Sequence, residues 1–158
     1  MTRTNTEPEV EENAARRTAR QLSDVEIKEF LRNNYWAVLA ISVDDEPYGV
    51  PIIYGYDDDG TIYIANGPGK KITMIERNPH VTMTVVEVAE AGKRWRSVIV
   101  RGDVEMVDDL SGKMHAFNTL RKQMPPTFTP SVRDAAKLAM AKVIRIVPRE
   151  ITGRAIGL

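Results

Sequence analysis

The sequence predicts a mainly β protein, a small antiparallel barrel of six strands with helices at its periphery. Two observations carry the prediction. Segments rich in β-branched and aromatic residues follow one another along the chain, most of them joined by short turns. One short helical segment separates the third predicted strand from the fourth. Because a doubly wound parallel sheet needs a helix after nearly every strand, an antiparallel barrel explains this order better.

The chain of 158 residues has the length of one domain, and its first 21 residues are predicted to be a flexible tail. This tail is rich in Thr, Glu, Asn and Arg, and has few apolar side chains to bury. The domain is therefore expected to span residues 22–158. Its first helix begins at Ser23, where Glu26 stands three residues later as in a capping box, and ends near Asn33.

The strands and the remaining helices follow in order. The predicted strands are Trp36–Val43, Tyr48–Tyr56, Thr61–Ile64, His80–Val88, Trp95–Val107 and Lys142–Thr152. The other predicted helices are Lys70–Asn78, Ser111–Met124 and a piece at about 131–141. Pro51 has no N–H for a ladder, which indicates a sheet edge, a bulge or a place where the backbone is kept free for another contact. Gly102 indicates a bulge within a long strand. The last residues, Gly153–Leu158, are expected to cover an edge of the barrel.

The charge balance and the cysteine count exclude several classes of function. Lys and Arg number 22, and so do Asp and Glu, so no net charge favours nucleic acid or an anionic membrane surface as a partner. The absence of cysteine excludes disulfides and thiolate chemistry. No apolar segment approaches the roughly 20 residues that span a bilayer. We expect a soluble, cytoplasmic protein.

The segment Thr61–His80 has the features of an anion site. A strand ends at the turn Asn66-Gly-Pro-Gly69, and Lys70 and Lys71 then begin a helix. The N–H groups of a first helical turn and two ammonium groups favour a phosphate or a carboxylate. Lysines at a helix start are, however, often simply solvated. Both interpretations stay open on local features alone.

Other residues suggest a planar ligand more than a reacting side chain. Trp95 and Ser97 project to one side of their strand, where they could form a wall for a flat ring, or Trp95 could close a barrel end. His80 and His115 have no neighbouring ligand at a spacing typical of zinc. The sequence contains no nucleophile elbow, Walker loop or dinucleotide fingerprint. This pattern favours a cofactor that supplies its own chemistry.

An ordered set of short motifs resembles the pyridoxamine 5′-phosphate oxidase-like split-barrel proteins, and within them the branch of the nitroimidazole-resistance proteins. The motifs are Val50-Pro-Ile-Ile-Tyr54, Asp59-Gly-Thr-Ile-Tyr63, Gly69-Lys-Lys71, Arg77-Asn-Pro-His-Val81, Trp95-Arg-Ser-Val98, Gly102 and Glu150-Ile-Thr-Gly153. The resemblance covers residues 22–152. It implies a six-stranded Greek-key split barrel of the FMN-binding type, which forms a homodimer with FMN at the subunit interface.

The resemblance also implies a role for ten residues. The backbone of Pro51, Ile52, Ile53 and Tyr54 would lie along the isoalloxazine ring, and Ala65 and Asn66 would flank it. Lys70 and Lys71 would hold the phosphate. Trp95 and Ser97 would reach the flavin from the other subunit.

The implied activity is an oxidoreductase in which flavin N5 exchanges a hydride or electrons with a small substrate. Ala65 occupies a position where the nitroimidazole-resistance branch commonly has histidine, which argues against reduction of nitro drugs. The C-terminus lacks the Arg-x-His motif of true pyridoxamine phosphate oxidases, which argues against vitamin B6 oxidation. Two alternatives remain: a reductase that uses the deazaflavin coenzyme, and a non-catalytic flavin- or haem-binding protein on the same barrel.

Overall fold

The computed structural model describes residues 19–128 and 135–157. Within these ranges, the strands are β1 (Arg20–Gln21), β2 (Trp36–Val43), β3 (Glu46–Ile53), β4 (Gly55–Tyr56), β5 (Ile62–Asn66), β6 (His80–Ala89), β7 (Arg94–Val107) and β8 (Lys142–Ile156). The α-helices are α1 (Asp24–Asn33), α2 (Lys70–Arg77), α3 (Leu110–Gln123) and α4 (Ala135–Met140). Short 3-10 turns lie at Glu90–Gly92 and Pro126–Phe128. None of the described helices is both long and apolar enough to cross a membrane.

The strands form one antiparallel sheet in the order β3-β2-β6-β7-β8-β5-β4, and β1 pairs with β8. Most neighbours in this order are consecutive along the chain. The pairings of β2 with β6 and of β5 with β8 join distant strands, which is typical of Greek-key connections. The sheet is curled, with the helices around it, and the predicted mainly β split barrel is confirmed. β7 and β8 pair over nearly their whole length and form the longest ladder.

Alternation along the strands gives the sheet two different faces. The inner face carries a continuous apolar core, which includes Leu39, Met83, Val100 and Ile146, all of them fully buried. The outer face of β3, β2, β6 and β7 is exposed, and one row of directly paired residues crosses it. That row is Pro51, Val38, Thr84 and Ile99.

The first helix closes one side of the barrel as the capping signal predicts. The Ser23 hydroxyl accepts a hydrogen bond from the Glu26 N–H, and the Glu26 carboxylate accepts one from the Ser23 N–H. The helix then buries Ile27, Phe30 and Leu31 in the main core. The capping box therefore fixes where the chain enters the domain.

The second and the last predicted strands differ from the sequence-based prediction. The second predicted strand is interrupted at Tyr54, which separates β3 from β4. The prediction that Gly153–Leu158 lie outside the last strand is wrong, because β8 continues to Ile156 and pairs there with Trp95. Gly153 fits inside this strand because it lies against Leu22: an added Cβ would come within 2.9 Å of the Leu22 Cδ1 atom.

Three further predictions concern the N-terminal tail, the last helical piece and the bulge. Of the predicted tail, residues 1–18 lie outside the described residues, and Arg20–Gln21 form β1. The helical piece predicted at about 131–141 is described only over Ala135–Met140. The bulge predicted at Gly102 is confirmed by a register shift between Arg101 and Gly102. An added Cβ at Gly102 would lie 2.5 Å from the Val147 carbonyl oxygen, so the close approach of β8 requires glycine.

Candidate functional site

The start of α2 is arranged to receive an anion. Gly69 is the N-cap residue, and no side chain caps the helix there. The N–H groups of the first turn therefore lack the usual side-chain acceptor and lie at the positive end of the helix dipole. Lys70 and Lys71 are the first two residues of the helix, which has no acidic residue in its first turn. The local requirements of the predicted anion site are present together.

The two lysines differ in their surroundings. The Lys70 Nζ lies 4.6 Å from the centre of the Tyr48 ring, a cation–π contact that directs this side chain towards β3. Lys71 is half-buried, and burial lowers the pKa of its ammonium group. No carboxylate contributes to that shift. A bound phosphate would supply a negatively charged partner for the Lys71 ammonium group.

β3 offers its free edge beside this helix. It is the terminal strand of the described sheet and pairs with β2 alone. Pro51 thus lies on an edge strand, one of the three explanations that the sequence allowed for it. Pro51 and Ile53 point to the outer face, whereas the Ile52 side chain is buried in the core.

Tyr54 follows β3 directly and belongs to the core. Its side chain is fully buried, and its hydroxyl donates a hydrogen bond to the Leu31 carbonyl oxygen over 2.9 Å. Burial raises the pKa of this phenol. Tyr54 and Ile52 can therefore reach a ligand only through their backbone, which is the contact that the family resemblance implies for them.

Ala65 and Asn66 end β5, where the chain turns towards α2. Both residues are half-buried. Ala65 packs against a second, smaller apolar cluster under α3 and α4, and Asn66 pairs with Lys142 of β8. The chain reaches Lys70 four residues later, which places Ala65 and Asn66 on the approach to the lysine pair.

Trp95 and Ser97 lie on the outer face of β7, and both are half-buried. β7 is separated from β3 by β2 and β6, so about three strand spacings, roughly 14 Å, lie between them and Pro51. Within one subunit the structure therefore does not bring Trp95 and Ser97 against the edge of β3. Their expected contact with the flavin requires a second copy of the chain.

The outer face is unusually apolar for an exposed surface. We call it the outer apolar face and define it by five side chains that are 40% to 63% exposed: Trp36, Val38, Val86, Val88 and Ile99. Val86 and Val88 are the direct cross-strand partners of Ser97 and Trp95. Adjacent exposed apolar side chains on several strands are typical of a protein–protein contact surface. Trp95 and Ser97 border this face.

Three contacts in the structure have no local signal in the sequence. Tyr48 contacts Lys70, which is 22 positions later in the chain. His115 pairs with Asp57, which is 58 positions away in the sequence and gave no local sign of a partner. His80 pairs with Asp103 on the adjacent strand. Among the described residues, no group of three or more His, Cys, Asp or Glu side chains is arranged to hold a metal ion.

Comparison with solved structures gives close structural relatives. The crystal structure of a FAD-binding protein from Mesorhizobium loti is 33% identical, with a TM-score of 0.72 over 88% of this chain and 99% of that chain. A candidate 5-nitroimidazole antibiotic resistance protein from Bacteroides thetaiotaomicron is 24% identical, with a TM-score of 0.77 over 87% of each chain. At that identity, the second likeness shows the fold alone.

Sequence comparison extends the relationship over most of the domain. An uncharacterised protein of Rhizobium meliloti (strain 1021) is 31% identical over 121 residues, which cover 74% of this chain and 71% of the relative. The family model described as pyridoxamine 5′-phosphate oxidase matches residues 23–155, which include both lysines, the edge of β3 and the outer face of β7. The chain belongs to the pyridoxamine 5′-phosphate oxidase family.

Proposed function

We propose that the protein is a flavin-dependent oxidoreductase that binds FMN. The observation that carries this proposal is the uncapped start of α2, where Lys70 lies beside a half-buried Lys71 that has no carboxylate partner among the described residues. Such a site suits a phosphate dianion, which accepts hydrogen bonds from helix N–H groups and ammonium groups. The 33% identical protein that binds FAD supports a flavin as the ligand.

Different residues of this chain would bind the phosphate and the ring of the cofactor. Lys70 and Lys71 would bind the phosphate, while the free edge of β3 from Pro51 to Tyr54 would lie along the ring. Ala65 and Asn66 would flank the ring between these two regions. When bound, the flavin supplies the redox chemistry by exchanging a hydride or electrons at N5 with a small substrate. The protein binds the cofactor, orients it and sets the polarity around it.

We propose further that the protein is a homodimer joined through the outer apolar face. Two observations support this. The face exposes adjacent apolar side chains that a second copy would cover, and Trp95 and Ser97 lie too far from β3 in their own subunit to meet the same ring. In the dimer they would close the groove of the partner subunit. The groove is then complete only when two copies associate.

Coenzyme titration tests the cofactor. Purified protein freed of cofactor is titrated with FMN, FAD and the deazaflavin coenzyme, and binding is followed by visible absorbance and by quenching of coenzyme fluorescence. FMN is expected to bind most tightly. If FAD or the deazaflavin coenzyme binds more tightly, that coenzyme and not FMN is the cofactor. If none of the three binds at micromolar concentrations, the proposal of a flavin-dependent enzyme is refuted. Reduction of the bound coenzyme by NADPH or NADH then tests for an enzyme as opposed to a carrier.

Substitution tests the assignment of the lysines. Lys70→Ala and Lys71→Ala should each weaken FMN binding by about tenfold or more, since each removes a charge-assisted contact to phosphate worth about 1.5–3 kcal/mol. Lys28→Ala, which removes an exposed lysine from α1, is the matched control and should bind FMN like the wild type. Equal affinity of all three variants would remove the lysine pair from the site.

A charge placed on the outer apolar face tests the dimer. Val86→Arg should yield a monomer in sedimentation experiments and should bind FMN more weakly, because the partner's wall is lost. Val25→Arg is the control: Val25 is 74% exposed on α1, away from this face. A dimer that survives Val86→Arg with full FMN affinity would contradict the proposed interface.

A further inference from the structure

A second cavity lies at the opposite end of β5 from the lysine pair. It has a volume of about 380 Å³ and opens between α1, the β4–β5 turn and α3. The turn at its edge leads into Ile62, the first residue of β5, whereas Asn66 ends that strand on the side of Lys70. The cavity is therefore distinct from the proposed flavin groove.

A buried carboxylate orients a histidine at this cavity. The side chain of Asp57 is only 7% exposed, and its Oδ1 accepts hydrogen bonds from the N–H groups of Asp59 and Thr61. Its Oδ2 lies 3.0 Å from the His115 Nε2, while the His115 side chain is 54% exposed. The Tyr63 ring packs edge-on against the imidazole, with 5.3 Å between ring centres. His115 is thus held from two sides, and its Nδ1 has no hydrogen-bond partner among the described residues.

The other polar groups of the cavity wall are mostly unused donors. Neither the Tyr56 hydroxyl nor the Lys122 ammonium group forms a hydrogen bond or an ion pair within the described part of the chain. Arg32 has a long contact of 3.5 Å to Asp58, whose side chain is fully exposed. The guanidinium carbon of Arg32 also lies 5.8 Å from the centre of the Tyr56 ring. A ligand that satisfies these donors must carry acceptors.

The acceptors in the wall are largely occupied. Asp57 is satisfied by two backbone N–H groups and by His115. The Gln123 oxygen accepts from the Tyr56 N–H, and the Gln123 amide group donates to the Leu31 carbonyl oxygen. The Thr119 hydroxyl donates to the His115 carbonyl oxygen. Within the described part of the chain, the Asp58 carboxylate has only its long contact with Arg32, and the Asp59 carboxylate has no side-chain partner. Both remain as acceptors and as like charges that oppose an anion.

We propose that this cavity binds a small anion, a carboxylate or a phosphate, between Lys122, Tyr56 and the histidine that Asp57 holds in place. As an imidazolium, His115 donates from Nε2 to Asp57 and from Nδ1 to the anion, so the buried carboxylate balances part of its charge. Lys122 and Arg32 supply further positive charge, which is opposed by the carboxylates of Asp58 and Asp59. The site is independent of the flavin, because it shares no residue with the proposed groove.

The two histidines of the chain give a site-specific readout. Inorganic phosphate and succinate are titrated separately into the full-length protein at about pH 6 while the imidazole C–H signals are followed by NMR. We expect the His115 signals to shift and saturate with at least one of the two anions. The signals of His80, which is paired with Asp103 on β6 and β7, should stay in place. Linear, unsaturated shifts of both histidines alike would overturn the proposal.

Two charge variants test the assignment, because they are expected to change the anion affinity in opposite directions. Lys122→Ala should weaken binding by about two- to fivefold, the range expected for one exposed charge contact. Asp59→Asn should strengthen it, because the variant removes one of the two opposing carboxylates. Arg121→Ala, an exposed cation one position earlier on α3 that does not line the cavity, is the matched control. Equal affinity in the Lys122 and Arg121 variants, or weaker binding after Asp59→Asn, would refute the site.

Flavin binding is measured on the same samples and separates this proposal from the previous one. Lys70→Ala and Lys71→Ala should leave the response of His115 to anions unchanged. Lys122→Ala should leave FMN affinity unchanged. If His115 loses its response in the Lys70 or Lys71 variants, the anion is acting from the flavin groove and the second site is refuted.

Discussion

The Lys70 ammonium group lies 4.6 Å from the centre of the Tyr48 ring. Tyr48 is half-buried on β3 and packs against the main core, so its ring is a fixed surface for a mobile lysine side chain. The contact joins the edge strand to the start of α2. It thereby restricts Lys70 before any ligand arrives, which reduces the side-chain entropy that binding must overcome.

Replacing Tyr48 by leucine should weaken FMN binding without removing a group that touches the cofactor. A cation–π contact at an exposed site contributes about 0.5–1 kcal/mol, so the dissociation constant should rise by about two- to fivefold. Tyr48→Phe keeps the ring and should retain the wild-type affinity. Fluorescence titration measures both. An equal loss in the phenylalanine variant would assign the effect to the hydroxyl group and contradict the cation–π explanation.

As the pH is raised, FMN affinity should begin to fall at a lower pH than it would if Lys71 had the pKa of an exposed lysine. Burial lowers the pKa of Lys71 in the free protein, so its ammonium group loses its proton below the usual value of about 10.5. As the pH rises through that lowered pKa, binding must either take up a proton or lose the charge contact, and the affinity decreases. Titrations of FMN at several pH values between about 7 and 10 measure the decrease.

Lys71→Arg is the control for this pH dependence. Arginine stays charged over the whole range, so the variant should bind FMN with an affinity that changes little up to about pH 10. If the arginine variant shows the same decrease as the wild type, another group titrates and Lys71 is not its origin.

The sequence predicted those features that local pattern determines. The capping box at Ser23, the bulge at Gly102 and the turn before Lys70 depend on residues that are neighbours in the chain, and period-two alternation placed Trp95 and Ser97 on one face. The pairing of Asp57 with His115 depends on how α3 packs on the β4–β5 turn, which no local pattern reveals. The sequence predicted that the last strand ends at Thr152, one residue before Gly153, because the close contact of Gly153 with Leu22 is visible only in three dimensions.

Gln123 should be important for stability, since its side chain joins three elements. Its oxygen accepts from the Tyr56 N–H over 2.7 Å, and its nitrogen donates to the carbonyl oxygens of Leu31 and Asn34 at the end of α1. Gln123→Ala leaves the Tyr56 N–H without its acceptor and should lower the free energy of unfolding by about 1–3 kcal/mol.

Urea denaturation measures this loss against Arg121→Ala, an exposed position on the same helix that should change stability by no more than about 0.5 kcal/mol. Similar losses in both variants would mean that helix propensity, and not the hydrogen bonds of Gln123, determines the result.

Gly55 should not tolerate even a methyl group, because α3 crosses β4 at van der Waals distance there. A Cβ added at Gly55 would lie 2.9 Å from the Leu120 backbone nitrogen and 3.1 Å from the Leu120 Cα. Backbone atoms within a helix cannot rotate away as a side chain can, so α3 as a whole must shift. Gly55→Ala should therefore lower the free energy of unfolding by about 1–3 kcal/mol, the range for overpacking in a core.

Gly67→Ala is the matched control, because an added Cβ there meets nothing within 4 Å. It should leave the urea midpoint of the cofactor-free protein nearly unchanged. The shift of α3 in Gly55→Ala should also reach the Asp57–His115 pair, so the His115 signals should move in that variant and not in Gly67→Ala. A stable Gly55→Ala protein with unchanged His115 signals would show that α3 can withdraw from β4 without disturbing the cavity.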